Sequence, residues 1–195
     1  MAKALTGAYL AGGLTLGVMA LTAGVLLRAP SLAQGLESVV RLTARTSLLL
    51  FLLVFCSSAL WAHWPGAFSR WLRQQRRYVA LGFAGSYLVH AGLFTWLASL
   101  GPLQAAQVWQ PAMILVGGSG YAVLLLLVLT SNNAAQRWLG AARWQRLHCV
   151  GVYWLWAQFL ISMAKRLPVD GLLYGAWVAL LLAAMALRWW PQPAR

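Results

Sequence analysis

The chain has 195 residues, 62% of them hydrophobic and 9% charged, with a formal net charge of +13. Soluble domains run at about 45–50% apolar and roughly 25% charged, so the composition excludes a soluble fold and predicts one all-α integral membrane domain over residues 1–195. The basic residues fall in short clusters between apolar runs, where lipid headgroups and topology account for them; membrane lipid is an expected partner and nucleic acid is not.

A helix needs about 20 apolar residues to cross the hydrocarbon core. Six stretches meet this, near 5–27, 42–62, 78–100, 111–130, 148–164 and 171–189. The first follows Lys3 and contains Gly12-Gly13. It is longer than the apolar core of a signal peptide, about 7–15 residues, and reads as a retained helix. Ser31-Leu32-Ala33 has the small-residue character of a cleavage site, and cleavage there would leave five spans. His63-Trp64-Pro65-Gly66, after the second span, reads as a loop without a role. The third span carries Gly82 and Gly85 one turn apart and His90 near its middle. The fourth carries Gly117, Gly118 and Gly120. Small residues let helices approach closely, or make room for a flat cofactor. His148 opens the fifth span, behind Arg143-Trp144-Gln145-Arg146.

Cytoplasmic loops carry the excess of Lys and Arg. Six spans place Arg70, Arg73, Arg76, Arg77, Arg137, Arg143 and Arg146 on one side with Lys3, Arg188 and Arg195. Arg28, Arg41, Arg45, Lys165 and Arg166 fall on the other, with the two acids, Glu37 and Asp170. Both termini are therefore expected in the cytoplasm of a bacterial inner-membrane protein. Trp61, Trp64, Trp71, Trp109, Trp138, Trp144, Trp189 and Trp190 lie near predicted span ends, where indoles prefer the headgroup zone. Trp154 and Trp156 lie deeper and read as packing. Cys56 and Cys149 sit in apolar runs without metal-site spacing, and both read as core.

Two acids near the outer surface exclude a paired-carboxylate mechanism, and no phosphate loop or dinucleotide fingerprint is present. Chemistry, if any, belongs to a bound cofactor that the chain holds and tunes. An ionisable group inside a bilayer is costly and has a task or a partner. Histidine supplies haem with axial ligands, and His90 and His148, each preceded by arginines, are the candidates. A neutral histidine hydrogen-bonded between helices would produce the same pattern.

Arg76-Arg77, then Leu81-Gly82-Phe83 and His90, resembles the third helix of the ferric reductase-like transmembrane family. The resemblance is strongest to its bacterial branch, the haem-binding membrane subunit of the periplasmic methionine sulfoxide reductase system. Thr130-Ser131-Asn132, Gln136-Arg137-Trp138-Leu139-Gly140 and Trp144-Gln145-Arg146-Leu147-His148 are similar to that branch's fourth loop and the start of its fifth helix. Thr43-Ala44-Arg45-Thr46 resembles its Thr-Gly-Arg motif, with Ala44 replacing glycine. The resemblance covers roughly residues 40–190. It implies a six-transmembrane-helix bundle of cytochrome b type and haem b, one or two per chain. His90 and His148 would ligate the haem iron, and Arg45, Arg76 and Arg77 would partner its propionates. FMN or a quinone is a further implied cofactor. The implied donor is a cytoplasmic flavin reductase or quinol, and the acceptor a periplasmic molybdenum-dependent reductase. The family's further histidine on the fifth helix corresponds to Ile161 here, which cannot ligate iron.

At 1.5 Å per residue, His90 lies roughly 20 Å beyond Arg77 and His148 about 7 Å beyond Arg143. Equal starting depths would set the two histidines about 12 Å apart in height and forbid a shared haem. They become level if 136–147 is already helical in the membrane, or if the third helix starts before Arg76. Otherwise each would hold its own haem, with Arg76 as second ligand for His148 and Gln158 or Met163 for His90.

The expected function is an electron-transfer membrane subunit of an oxidoreductase, not catalytically complete alone. The chain ends six residues after Trp189, which implies a separate donor in place of a fused flavin domain. It would dock on the basic loops 70–77 and 137–146. The rival readings are a self-sufficient ferric or quinone reductase of cytochrome b type, and a cofactor-free membrane anchor or assembly protein.

Overall fold

The computed structural model describes residues 7–101, 105–106 and 111–191, without the side chains of Ala112 and Met113. Lys3, Trp109 and Arg195 lie outside the described residues, as do the first two positions of the predicted 5–27 span. The described residues contain no strand. Their helices are α1 Gly7–Leu27, α2 Leu32–His63, α3 Ala67–Ser99, α4 Pro111–Leu129, α5 Asn133–Leu139, α6 Ala141–Ala164 and α7 Gly171–Trp189, with residues 105–106 also helical.

Five of these (α1, α2, α3, α6 and α7) are long and apolar enough to cross a membrane, as a multi-pass membrane protein requires. Residues 114–129 of α4 join α5 at a 98° bend, and the pair counts as a sixth only when taken as one broken span. Against the predicted six, the described residues hold five spans, or six if the bent pair is one.

Three helices extend past the apolar windows at their basic ends: α2 begins at Leu32, α3 at Ala67 and α6 at Ala141. An apolar window measures the lipid-buried part of a helix, whereas capping and packing decide where its backbone begins. The Ser31 hydroxyl accepts the Gln34 N–H at 3.4 Å at the start of α2, and Arg41 reaches Glu37 at 3.5 Å one turn apart. Within this polar turn Leu36, Val39 and Val40 are buried against Leu93 and Leu97. His63 is the last residue of α2 rather than part of a loop, and its Nε2 is buried without a hydrogen-bond partner. The Gly66 N–H donates to Ser69 Oγ at 3.0 Å and caps α3.

The chain divides into two compact units, residues 1–57 with 66–113 and residues 58–65 with 114–195. In the first, α1 lies against α3 at the two glycines that the sequence singles out. A Cβ on Gly82 would meet Leu14 at 2.7 Å, and one on Gly85 would meet Thr15 Oγ1 at 2.2 Å. These glycines serve helix packing. The Gly7 N–H donates to Gln75 Oε1 at 2.9 Å, tying the start of α1 to α3.

The second unit packs α4 against α6, where a Cβ on Gly151 would strike Leu127 at 2.8 Å. Gln158, 6% exposed, donates from Nε2 to the Val116 carbonyl and to Ser119 Oγ. Trp156 donates from Nε1 to the Leu181 carbonyl at 3.0 Å and links α6 to α7. Trp156 therefore packs as expected, whereas Trp154 is exposed. Cys56 is buried, but Cys149 is exposed, contrary to its reading as core.

Candidate functional site

His90 sits on α3 opposite Thr43 of α2, with Nδ1 3.0 Å from Thr43 Oγ1. A threonine hydroxyl has one proton to give, and Thr43 gives it to the Val39 carbonyl one turn back, at 2.7 Å. Thr43 therefore accepts from His90 Nδ1–H, an arrangement in which a neutral ring carries its lone pair on Nε2. Four residues on, Ser47 and Ser86 hydroxyls meet at 2.8 Å. These two contacts fix α2 and α3 as antiparallel, with four steps up one helix matching four steps down the other. Thr43, Ser47 and Ser86 are each fully buried.

Rings surround this histidine. Tyr87 and Phe94 stack on either side of it along α3, each with its centroid 6.0 Å from the imidazole. The series continues through Phe83 to Phe51 and Phe55, with centroids 5.5–5.7 Å apart. Such a wall excludes water and lowers the local dielectric.

His148 repeats the pattern at a corner of the second unit. Its Nε2 lies 3.1 Å from Thr130 Oγ1, and Thr130 donates its own proton to the Leu126 carbonyl at 2.6 Å. Here Nε2–H is the donor, so Nδ1 carries the lone pair: the tautomer is the reverse of that at His90. Trp144 lies tilted against the ring with centroids 4.3 Å apart and donates from Nε1 to the Thr130 carbonyl at 2.8 Å. The corner is built from the same short sequence. Ser131 Oγ donates to the Leu127 carbonyl and Asn132 Nδ2 to that of Leu129, closing the end of α4. Asn132 Oδ1 accepts the Ala135 N–H at 2.7 Å and starts α5, and Gly140, at φ +76°, breaks the chain between α5 and α6.

Axial ligation of haem needs a neutral imidazole nitrogen whose lone pair is held in a fixed direction by a hydrogen bond from the other nitrogen. His90 meets that requirement through Nε2. His148, in the observed ring orientation, meets it through Nδ1, with Nε2 committed to Thr130. Among the described residues no group of three or more His, Cys, Asp or Glu side chains gathers to hold a separate metal ion.

The predicted site residues divide between the two units. His90, Arg45, Arg76 and Arg77 belong to the first unit and His148 to the second. By the α2–α3 register, Arg45 lies about 3 Å from the level of His90. It falls midway between Thr43 and Ser47, at about 200° from Thr43, and so faces away from α3. Arg76 and Arg77 lie 14 and 13 residues before His90, about 20 Å along α3. Arg76 shares the His90 face to within about 40°, whereas Arg77 is exposed on the opposite one. Gln158 and Met163, the candidate second ligands for His90, belong to the unit of His148, and Gln158 spends its amide protons on α4. Helix α3 begins at Ala67, before Arg76, and residues 136–147 are helical apart from Gly140. Ile161 is 42% exposed.

Sequence reasoning missed Thr43 and Thr130 as the groups that hold the two imidazoles. Both stand in the motifs that carry the family resemblance, but their partners are 47 and 18 residues away. The available signal was that a hydroxyl inside an apolar helix bonds its own backbone and keeps a lone pair to offer a neighbour.

No family model matches the chain, and no solved structure matches it. A relative in Azospira oryzae, the protein-methionine-sulfoxide reductase heme-binding subunit MsrQ, is 32% identical over 123 residues. The match takes in 57% of this chain and spans half the length of the relative. The resemblance read from the histidine-bearing motifs is borne out by this similarity.

Proposed function

We propose that this chain is a haem b-binding, multi-pass subunit of a bacterial inner membrane, with both termini in the cytoplasm. It takes electrons from a separate cytoplasmic flavin reductase or quinol and delivers them to a periplasmic molybdenum-dependent reductase of the methionine sulfoxide type. It is an electron carrier and not a complete enzyme by itself. The observation that carries this reading is the Thr43–His90 contact, which leaves an imidazole lone pair on Nε2 in an apolar, ring-lined setting. The similarity to a subunit named as heme-binding supports the choice of group.

Haem, when bound, supplies one-electron exchange at its iron. The chain's part is positional. His90 presents Nε2, Thr43 holds the Nδ1 proton and fixes the ring plane, and Tyr87 and Phe94 keep water from the imidazole. Arg76 and Arg77, remote from His90 along α3, anchor the helix at the headgroups and offer a cationic surface to an acidic donor.

The test is the reduced-minus-oxidised spectrum of purified protein, with haem, iron and flavin titrated per chain. A reducible b-type spectrum is expected, lost or halved in His90→Ala and in His148→Ala. A colourless protein from cells grown with ample haem precursor overturns the reading.

A second reading of His148 is favoured by one observation: its Nε2 and ring face are already engaged by Thr130 and Trp144. On this reading His148 latches the α4–α5–α6 corner. His148→Ala then lowers thermal stability and leaves the spectrum unchanged.

A further inference from the structure

Between the end of α1 and the start of α2, within the first unit, lies an open groove of about 720 Å³. Its wall is apolar and its far end is polar. Gly17, Gly24 and Val25 line the wall, and Arg28, Gln34 and Ser38 gather at the end. Among the described residues nothing from another helix lies within 4 Å of where a Cβ on Gly17 or Gly24 would stand, so the groove is not a packing seam between helices.

Charge singles out the end of the groove. Arg28 is exposed, and among the described residues no carboxylate pairs with it. The one acid in this part of the chain, Glu37, is held by Arg41 at 3.5 Å. Ser38 Oγ donates to the Gln34 backbone carbonyl at 2.8 Å, so Ser38 keeps its lone pairs, and the Gln34 side-chain amide is a donor of the kind a phosphate takes. Length matters as well. From Gly17 to Arg28 the helix rises about 16 Å, half of a hydrocarbon core about 30 Å thick. The groove therefore joins one leaflet's depth of apolar wall to a permanently charged planar fork suited to phosphate.

We propose that this groove binds an anionic phospholipid, with its phosphate on Arg28 and Gln34 and one acyl chain along Gly17–Gly24. A free phosphate would leave the wall unused, and a neutral ring-headed amphiphile would leave the guanidinium unused. The site shares no residue with the set proposed to hold haem, so the two readings are tested separately.

The experiment is native mass spectrometry and thermal melting of the full chain in detergent, with phosphatidylglycerol or phosphatidylethanolamine added. Phosphatidylglycerol is expected to stay bound and to raise the melting temperature, and phosphatidylethanolamine to do neither. Arg28→Gln should weaken phosphatidylglycerol binding about fivefold, the factor for one basic residue at a membrane surface. The Gly17→Leu/Gly24→Leu pair, whose Cβ atoms stand in open space, should abolish binding while the lipid-free melting temperature holds. Arg41→Gln, outside the groove, should leave binding intact. Equal retention of the two lipids, indifference to Arg28→Gln, full protection by inorganic phosphate alone, or displacement by a short-chain quinone would each overturn the proposal.

Discussion

Thr43 and Thr130 illustrate how little chemistry is needed to set a tautomer. Each spends its proton on its own helix one turn back and so presents an acceptor to the histidine across from it. Replacing Thr43 by valine keeps the volume and leaves Nδ1–H without its acceptor, at a cost of about 1–3 kcal/mol. Haem retention by Thr43→Val should fall by roughly 10–100-fold, the range for losing the group that orients a metal ligand. Thr43→Ser should restore most of it. The readouts are the haem-to-protein ratio after dialysis against apomyoglobin and a shifted midpoint potential in the haem that remains. Gly120 makes a second case: a Cβ there would stand 2.1 Å from Gln158 Oε1. Gly120→Ala should push that amide off Ser119 and cost about 1–2 kcal/mol. Gly117→Ala and Gly118→Ala, which meet nothing within 4 Å, should be neutral in the same denaturation assay.

Helices are where the sequence was most legible, and the misreadings have one cause. Apolar runs located each span, but α2, α3 and α6 begin ten, eleven and seven residues before the predicted starts. Those turns are amphipathic, with Leu36 and Leu72 fully buried among polar neighbours, and hydropathy averages such a face away. The α4–α5 bend was legible as a loop, because Thr130-Ser131-Asn132 is a run of side chains that cap backbone. The close approach of α1 to α3 was legible from Gly82 and Gly85. What could not be read was the partner at each contact, since Leu14 and Thr15 lie about seventy residues away. The first unit rests on this contact. Gly85→Ala would set a methyl 3.1 Å from the Thr15 Cβ, which cannot swing aside. It should cost about 1–3 kcal/mol by overpacking. Gly13→Ala, in open space on α1, should cost nothing. Unfolding in mixed detergent micelles compares the two.

For the molecule as a whole, composition settled its class and the fold added how the charges are spent. Glu37 is occupied by Arg41, and Asp170 accepts the Leu173 N–H at 2.9 Å as the cap of α7. With both carboxylates engaged inside the chain, its outward face is almost purely cationic, and arginine keeps its proton at any physiological pH. Ionic strength is then the lever on encounters with an acidic partner, and acidity has nearly none. Elution of the detergent-solubilised protein from a cation exchanger should need almost the same salt at about pH 7 as at about pH 9. Binding to an acidic donor should weaken steeply as salt rises past physiological strength. A cell housing this protein could tune the proposed docking by altering the partner's charge or the lipids around it, far more than by moving the pH between about 7 and 9.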